Sequence, residues 1–91
     1  MKYRIIPTAT FKRELKKAGR RGLSLDELER VVDKLANDKP LDKKYRDRDL
    51  VGKYKGYREC HIQSDWLLIY KKKADVMVML LARTGTHSDL F

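Results

Sequence analysis

The sequence predicts an α+β fold: a small β-α-α-β-β-β domain whose mainly antiparallel four-stranded sheet carries a two-helix hairpin on one face. Three observations predict it. The stretch YRII, stopped by Pro7, reads as a strand. Two helical repeats follow it, and three strand-sized runs, YRECHI, WLLIYKK and VMVMLLAR, come last, separated only by QSD and KAD. With 91 residues the chain has room for one domain, spanning 1–91, with a modest core.

Each element has a local reason. Thr8 or Thr10 can cap TFKRELKKAG, in which Phe11, Leu15 and Ala18 share a helical face and Gly19 ends the pattern. In SLDELERVVDKLAND, Ser24 and Glu27 make a capping box, Leu25, Leu28, Val32 and Leu35 follow a helical repeat, and Asp26 and Glu27 favour the positive end of the helix. The short RRGL between them predicts an antiparallel hairpin. Of the three later strands only VMVMLLAR is continuously apolar, which places it centrally, buried on both faces. The helices then cover one face of the sheet and leave the other partly open.

Composition narrows the function. Lysine and arginine outnumber aspartate and glutamate by 22 to 13, a formal charge of +9, with a sequence pI near 9.8. That balance points to an anionic partner, although a charged, soluble surface is the plainer reading. A single cysteine, Cys60, excludes an internal disulfide and reads as a small buried residue. Two histidines and one cysteine make a dedicated zinc site improbable, so no metal and no cofactor are assigned. MKYRIIPTAT lacks the apolar stretch of a signal peptide and no run nears a membrane span, so a cytoplasmic protein without a membrane partner is expected.

Residues 39–58, KPLDKKYRDRDLVGKYKGYR, hold eight cations against three aspartates, a local charge of +5 that is more than half the excess. Tyr45, Tyr54 and Tyr57 are interleaved with it. The pattern suits phosphate contact, with Arg48, Lys53 and Lys55 as candidates, plus stacking on unpaired bases. It equally suits a loop whose tyrosines pack against the sheet. Trp66 carries the same two readings, a core aromatic or a base-stacking residue.

Both histidines fall at strand ends. His61 closes YRECHI and His87 lies four residues past Arg83, so hairpin pairing can bring them together with Asp65 of the turn. Such a set suits RNA cleavage by the substrate's own 2′-hydroxyl. One group removes the 2′ proton, another protonates the departing 5′ oxygen, and a fixed cation meets the charge growing on phosphorus oxygens. Histidine titrates near neutrality and arginine forks onto phosphate, and the scheme requires no metal. Each histidine also reads as an ordinary hydrogen-bonded strand end, and Asp65 as a turn former.

At this point GYRECHIQSDWLLIY followed by RTGTHSDLF strongly resembles the YafQ branch of the RelE-like toxins of bacterial type II toxin–antitoxin systems. The resemblance runs from about Leu41 to Phe91, while the first forty residues match in element order and basic, helical character. It implies a RelE-like fold and a ribosome-dependent mRNA endonuclease that enters the A site and cuts the message. It implies a cognate antitoxin with a DNA-binding part, so that operator DNA is reached only through the complex. The excess positive charge adds that the antitoxin should present an acidic segment. The resemblance gives His87 the proton transfer to the leaving oxygen, His61 and Asp65 the 2′-hydroxyl, Arg83 the scissile phosphate, and Phe91 the positioning of a base or nucleotide. Gly85 would permit the turn that folds RTGTHSDLF back. Ser88 and Asp89 are local hydrogen-bonding residues.

One position departs from that pattern: toxins of this type commonly carry a histidine where Arg48 stands here. Arginine stays protonated at neutral pH, so Arg48 is no general base and is assigned to phosphate, with His61 and Asp65 sufficing for the 2′ proton. Two other readings stand beside the nuclease. A ParE-like toxin of the same fold acts on gyrase without the histidine-containing motif. A non-enzymatic RNA- or ribosome-binding module would account for the charge without chemistry.

Overall fold

Thr8 caps the first helix. Its hydroxyl oxygen accepts the Phe11 N–H at 3.0 Å and its hydroxyl donates to the Ala82 carbonyl at 2.9 Å, fastening the helix start to the sheet. In the computed structural model, which describes residues 2–91, the elements are β1 (Arg4–Pro7), α1 (Ala9–Arg20), α2 (Leu25–Ala36), β2 (Arg48–Asp49), β3 (Arg58–Gln63), β4 (Trp66–Lys73), β5 (Val78–Gly85) and α3 (His87–Leu90). Short 3-10 turns occupy Lys43–Tyr45 and Gly52–Tyr54.

Helix α1 ends one residue later than Gly19 suggests. Gly22 takes φ +80°, its N–H bonds the Gly19 carbonyl, and the Leu23 N–H reaches back to Ala18, so the left-handed glycine is Gly22. At α2 only half of the expected capping box forms. Ser24 accepts the Glu27 N–H, but the Glu27 carboxylate turns to the Tyr45 hydroxyl and Arg30. The complete box lies elsewhere: Thr86 and Asp89 exchange side-chain bonds with each other's backbone N–H and start α3.

The sheet order is β1-β5-β4-β3-β2, with β1 parallel to β5 and every other pair antiparallel. The fold class is as expected, with a fifth strand added. Strand β2 has no signature in the sequence, because two residues inside a polar, charged run carry no alternation. It exists because Arg48 and Asp49 pair with Glu59 and Arg58. The central strand is β4 and not β5: Trp66 to Tyr70 are all buried, and both faces are covered there. β5 is interior but lies two residues later than VMVMLLAR implies: Val76 and Met77 stand exposed in the turn before it, and the strand runs on through Thr84 and Gly85.

Alternation along β4 divides the interior. Trp66, Leu68 and Tyr70 join Cys60, Ile62, Met79 and Leu81 in the main core, where Phe11 and Ala18 of α1 and Leu28, Val31, Val32, Leu35 and Ala36 of α2 pack down on them. Burial pushes the Cys60 thiol up, as suits an inert core residue. Leu67 and Ile69 point the other way and meet Leu50 and Leu90, with Tyr54, Tyr57 and Ala82 against them. The second face is therefore not open: residues 48–57 and α3 close a small apolar cluster over it.

Candidate active site

The polar residues of interest ring that second cluster. In β3, Glu59 and His61 alternate with core-facing Cys60 and Ile62 and so share the second face. Asp65 sits in the β3–β4 turn, and α3 carries His87 at its start, fixed by the Thr86–Asp89 box and by an Arg21–Asp89 ion pair at 3.0 Å. Leu90, 2% exposed, anchors the helical turn in the apolar cluster and leaves Phe91 60% exposed beside it. Gly85 serves this turn by closeness rather than by backbone freedom. A Cβ there would lie 3.1 Å from Cβ and Oδ2 of Asp89.

Asp65 and His87 meet twice. The Asp65 Oδ1 accepts the His87 backbone N–H at 3.2 Å and lies 3.2 Å from its ring Nδ1. The backbone N–H and then the ring hold the Asp65 carboxyl below its ordinary range, so it stays ionised. The His61 and His87 rings stand with centroids 5.5 Å apart, and the Phe91 ring is 6.0 Å from that of His87. Arg48, Leu50, Val51, His87 and Phe91 line a hollow of about 290 Å³.

Glu59 is the residue that sequence reading missed. It is fully buried, its Oε2 takes both Nε and Nη2 of Arg48 at 2.7 Å, and its Oε1 has no hydrogen-bond partner among the described residues. One ligand atom each from Glu59, His61 and His87 lie within 4.8 Å of one another. Two imidazoles and a carboxylate suit a borderline metal ion such as zinc or copper, a donor set that a count of histidines and cysteines overlooks. The signal is present in RECHI, where strand alternation puts Glu59 and His61 on one face.

Arg83 reaches this group at one remove. Between β4 and β5 the register slips, with Ile69 opposite Arg83 but Tyr70 opposite Leu81, so Ala82 is an extra residue. The bulge turns Arg83 from Leu81's face to that of Ile69. There its Nη1 donates to the Tyr54 hydroxyl at 2.9 Å, which in turn donates to the Leu90 carbonyl at 3.3 Å. The Tyr54 ring packs edge-on against Phe91, centroids 5.4 Å apart. The other side of the fork is held by Glu14 of α1: Nε at 3.0 Å and Nη2 at 2.6 Å, while the same carboxylate accepts the Thr84 N–H beyond the end of β1.

His61, Asp65, His87, Phe91 and Arg48 thus converge, Arg83 supports them through Tyr54, and two aromatic residues take the other of their two readings. Trp66 is no base-stacking residue: it is 1% exposed, on the helix face of β4, because its place in the alternation opposes that of Leu67. Tyr45 is likewise a core residue. Lys53 stands over the Tyr54 ring, its Nζ 5.4 Å from the centroid, and Lys55 is exposed; neither meets a carboxylate among the described residues.

Known toxins share this architecture. The metal-bound toxin from Helicobacter pylori superposes with a TM-score of 0.93 at 39% identity, covering 98% of this chain and 99% of that one. The toxin of the Escherichia coli DinJ-YafQ toxin–antitoxin complex superposes with a TM-score of 0.88 at 34% identity, over 100% and 99% of the two chains. The mRNA interferase toxin YafQ of Escherichia coli K12 is 37% identical over 82 residues, 89% of this chain and 87% of its own length. The family model of YafQ, the bacterial toxin of type II toxin–antitoxin systems, matches residues 3–91, and the chain belongs to that family.

Proposed function

We propose that this chain, acting as a single domain over 1–91, is a cytoplasmic endoribonuclease that enters the ribosomal A site and cuts messenger RNA there, arresting translation. The observation that carries this reading is the Asp65–His87 pair standing against His61. The name mRNA interferase borne by the Escherichia coli relative supports it.

In the proposed reaction the 2′ oxygen attacks the adjacent phosphorus, the bond from phosphorus to the 5′ oxygen breaks, and a 2′,3′-cyclic phosphate and a 5′-hydroxyl result. Asp65 engages Nδ1 of His87, which fixes the ring and leaves Nε2 as the nitrogen that protonates the leaving oxygen. A carboxyl held this acidic is a poor base, so the 2′ proton falls to His61 and Asp65 orients His87. Arg48, half of whose fork is tied to Glu59, meets the phosphate charge beside His87, and Arg83 adds its two remaining N–H groups while holding Tyr54 and the Phe91 turn in place. Phe91, exposed and edge-supported, packs on a base.

The donor set of Glu59, His61 and His87 fits zinc or copper, but an ion there would take the lone pairs that proton transfer needs. Cleavage should therefore persist with a zinc-selective chelator in magnesium buffer and fall when zinc is added; loss of activity on chelation overturns the metal-free scheme. The DinJ-YafQ complex supports a cognate antitoxin for this chain; the basic surface suits an acidic segment of that partner, and DNA would be contacted through the antitoxin. Among the described residues no helix is long and apolar enough to cross a membrane.

The test is mRNA cleavage in a translating extract by the parent and His87→Ala, with the cut ends mapped. Ribosome-dependent cuts that vanish in the variant, with ribosome affinity kept, are expected. Equal cutting by the variant overturns the assignment of His87. No cuts from either protein, with growth arrest persisting, moves the reading to a gyrase-directed toxin or a binding module.

A further inference from the structure

We propose that the groove on the far side of His61 is a second nucleotide subsite, in which Lys44 and Arg46 hold the RNA phosphate next to the one that is cut. The inference rests on the nuclease reading and extends it from the scissile phosphate to its neighbour.

The groove has a volume of about 490 Å³, within the roughly 300–1,000 Å³ of small-ligand sites, and is larger than the hollow at His87 and Phe91. His61 forms part of its wall and His87 part of the wall of the other hollow, and the two rings are 5.5 Å apart. A single strand laid across the histidine pair therefore passes from one hollow into the next. A polymer substrate needs such continuity, and a site for an isolated small molecule does not.

The charge around the groove points the same way. Neighbouring Arg48 and Arg58 spend their charge on Glu59, Asp47 and Asp49. Lys44 and Arg46 meet no carboxylate among the described residues, and Lys44 lies over the Tyr45 ring, 5.1 Å from its centroid. The groove's own carboxylate, Glu27, is engaged by the Tyr45 hydroxyl and by Arg30, and the Lys44 charge acts on it without forming an ion pair. Gln63 at the end of β3 and Ser64 in the hairpin turn, both exposed, add hydrogen-bonding groups suited to base edges.

Arg46 supplies the second, independent observation. Its backbone sits at φ 50° and ψ 47°, the left-handed region, closing a turn capped by Asp42. Glycine would fill that position without strain, so a turn alone gives no reason for arginine. A guanidinium at the lip of the groove does. The strain belongs to the folded state, the cation to its ligand.

The experiment uses the full chain and a fluorescein-labelled single-stranded RNA whose 2′-hydroxyls are replaced by fluorine, so that it cannot be cut. Affinity is measured by polarisation over a range of potassium chloride concentrations for the parent, Arg46→Gly, Arg46→Asn, Lys44→Ala and, on the exposed face of α1, Lys12→Ala. Arg46→Gly and Arg46→Asn should bind about tenfold more weakly. Their slopes of log affinity against log salt should flatten by about 0.7, the value for one phosphate no longer neutralised. Arg46→Gly should melt no lower than the parent, which separates a missing cation from a damaged fold, and Lys12→Ala should match the parent in both respects. A parent that cuts messages in extract yet binds the oligonucleotide no more tightly than the Arg46 variants overturns the subsite and leaves the nuclease standing. Unchanged RNA binding with weakened binding of labelled poly-glutamate assigns the groove to an acidic protein segment and overturns it too. A parent that neither binds nor cuts RNA brings down the nuclease reading itself.

Discussion

The two faces of this sheet are built from alternate residues of the same strands and yet obey different rules. Towards the helices, β4 presents Trp66, Leu68 and Tyr70 to a core sealed by α1 and α2. Away from them it presents Leu67 and Ile69 to a smaller cluster, roofed by Leu50 and Leu90 and rimmed by Glu59, His61, Arg83 and His87. One face makes the fold, and the other uses just enough apolar contact to hold titratable groups in place. Stability and activity should therefore separate by face.

The largest expected effect is on the first face. Trp66→Ala should lose about 3–5 kcal/mol in chemical denaturation, a large share of the roughly 5–15 kcal/mol available to a domain. Its fate should be partial unfolding rather than a selective loss of cleavage. His87→Ala should do the reverse. The side chain is half exposed, so stability should change by no more than about 0.5 kcal/mol, while the cutting rate should fall about 10²- to 10⁴-fold. Comparable losses of stability from the two variants would erase the division between the faces.

Gly85→Ala sharpens the comparison, because it crowds the join between them. Its new methyl must push on Asp89, so we expect a loss of about 1–3 kcal/mol. Displacement of α3 should also slow cutting by up to about 10²-fold. Denaturant titration and the extract assay on one preparation measure both.

The smallest effect concerns pH. The Thr86 backbone N–H, then Arg21, hold the Asp89 carboxyl at about 2. A carboxyl more acidic in the fold than in the unfolded chain, where aspartate titrates near ~3.9, stabilises above that pH and loses its contribution as pH falls towards 2. Thermal melts between pH 6 and 2, read at roughly one-unit steps, should fall less steeply in Asp89→Asn than in the parent. Parallel curves would show that the cap does not carry the linkage.

The sequence makes some of this legible and hides the rest for physical reasons. Ser24 with its helical repeat, and QSD and KAD between apolar runs, are local signals, and the helices and hairpin strands lie where they point, save that the turn after KAD takes in Val76 and Met77. The meeting of His61, Asp65 and His87 is readable because hairpin pairing constrains strand ends. Strand β2 is not, since its two residues are extended only because Glu59 and Arg58 pair with them. Nor is the hold of Glu14 on Arg83, which joins residues 69 positions apart across a bulge that only the β4 pairing creates. Glu59 is the intermediate case: the alternation of β3 places it beside His61, but its burial depends on Arg48 arriving from β2.

The place of β5 has a consequence for how the protein is made. Although it is the last strand in chain order, it lies inside the sheet, pairing with β1 from Arg4 opposite Val78 to Pro7 opposite Leu81, and with β4 along its other edge. A nascent chain that has not yet delivered β5 has an unclosed sheet and an uncovered core, and it has no α3 to set His87 beside Asp65. Such distant pairing comes late and slowly in folding. Closing the sheet and assembling the site thus depend on the same late-arriving residues, and on the nuclease reading a chain that lacks them should not cut.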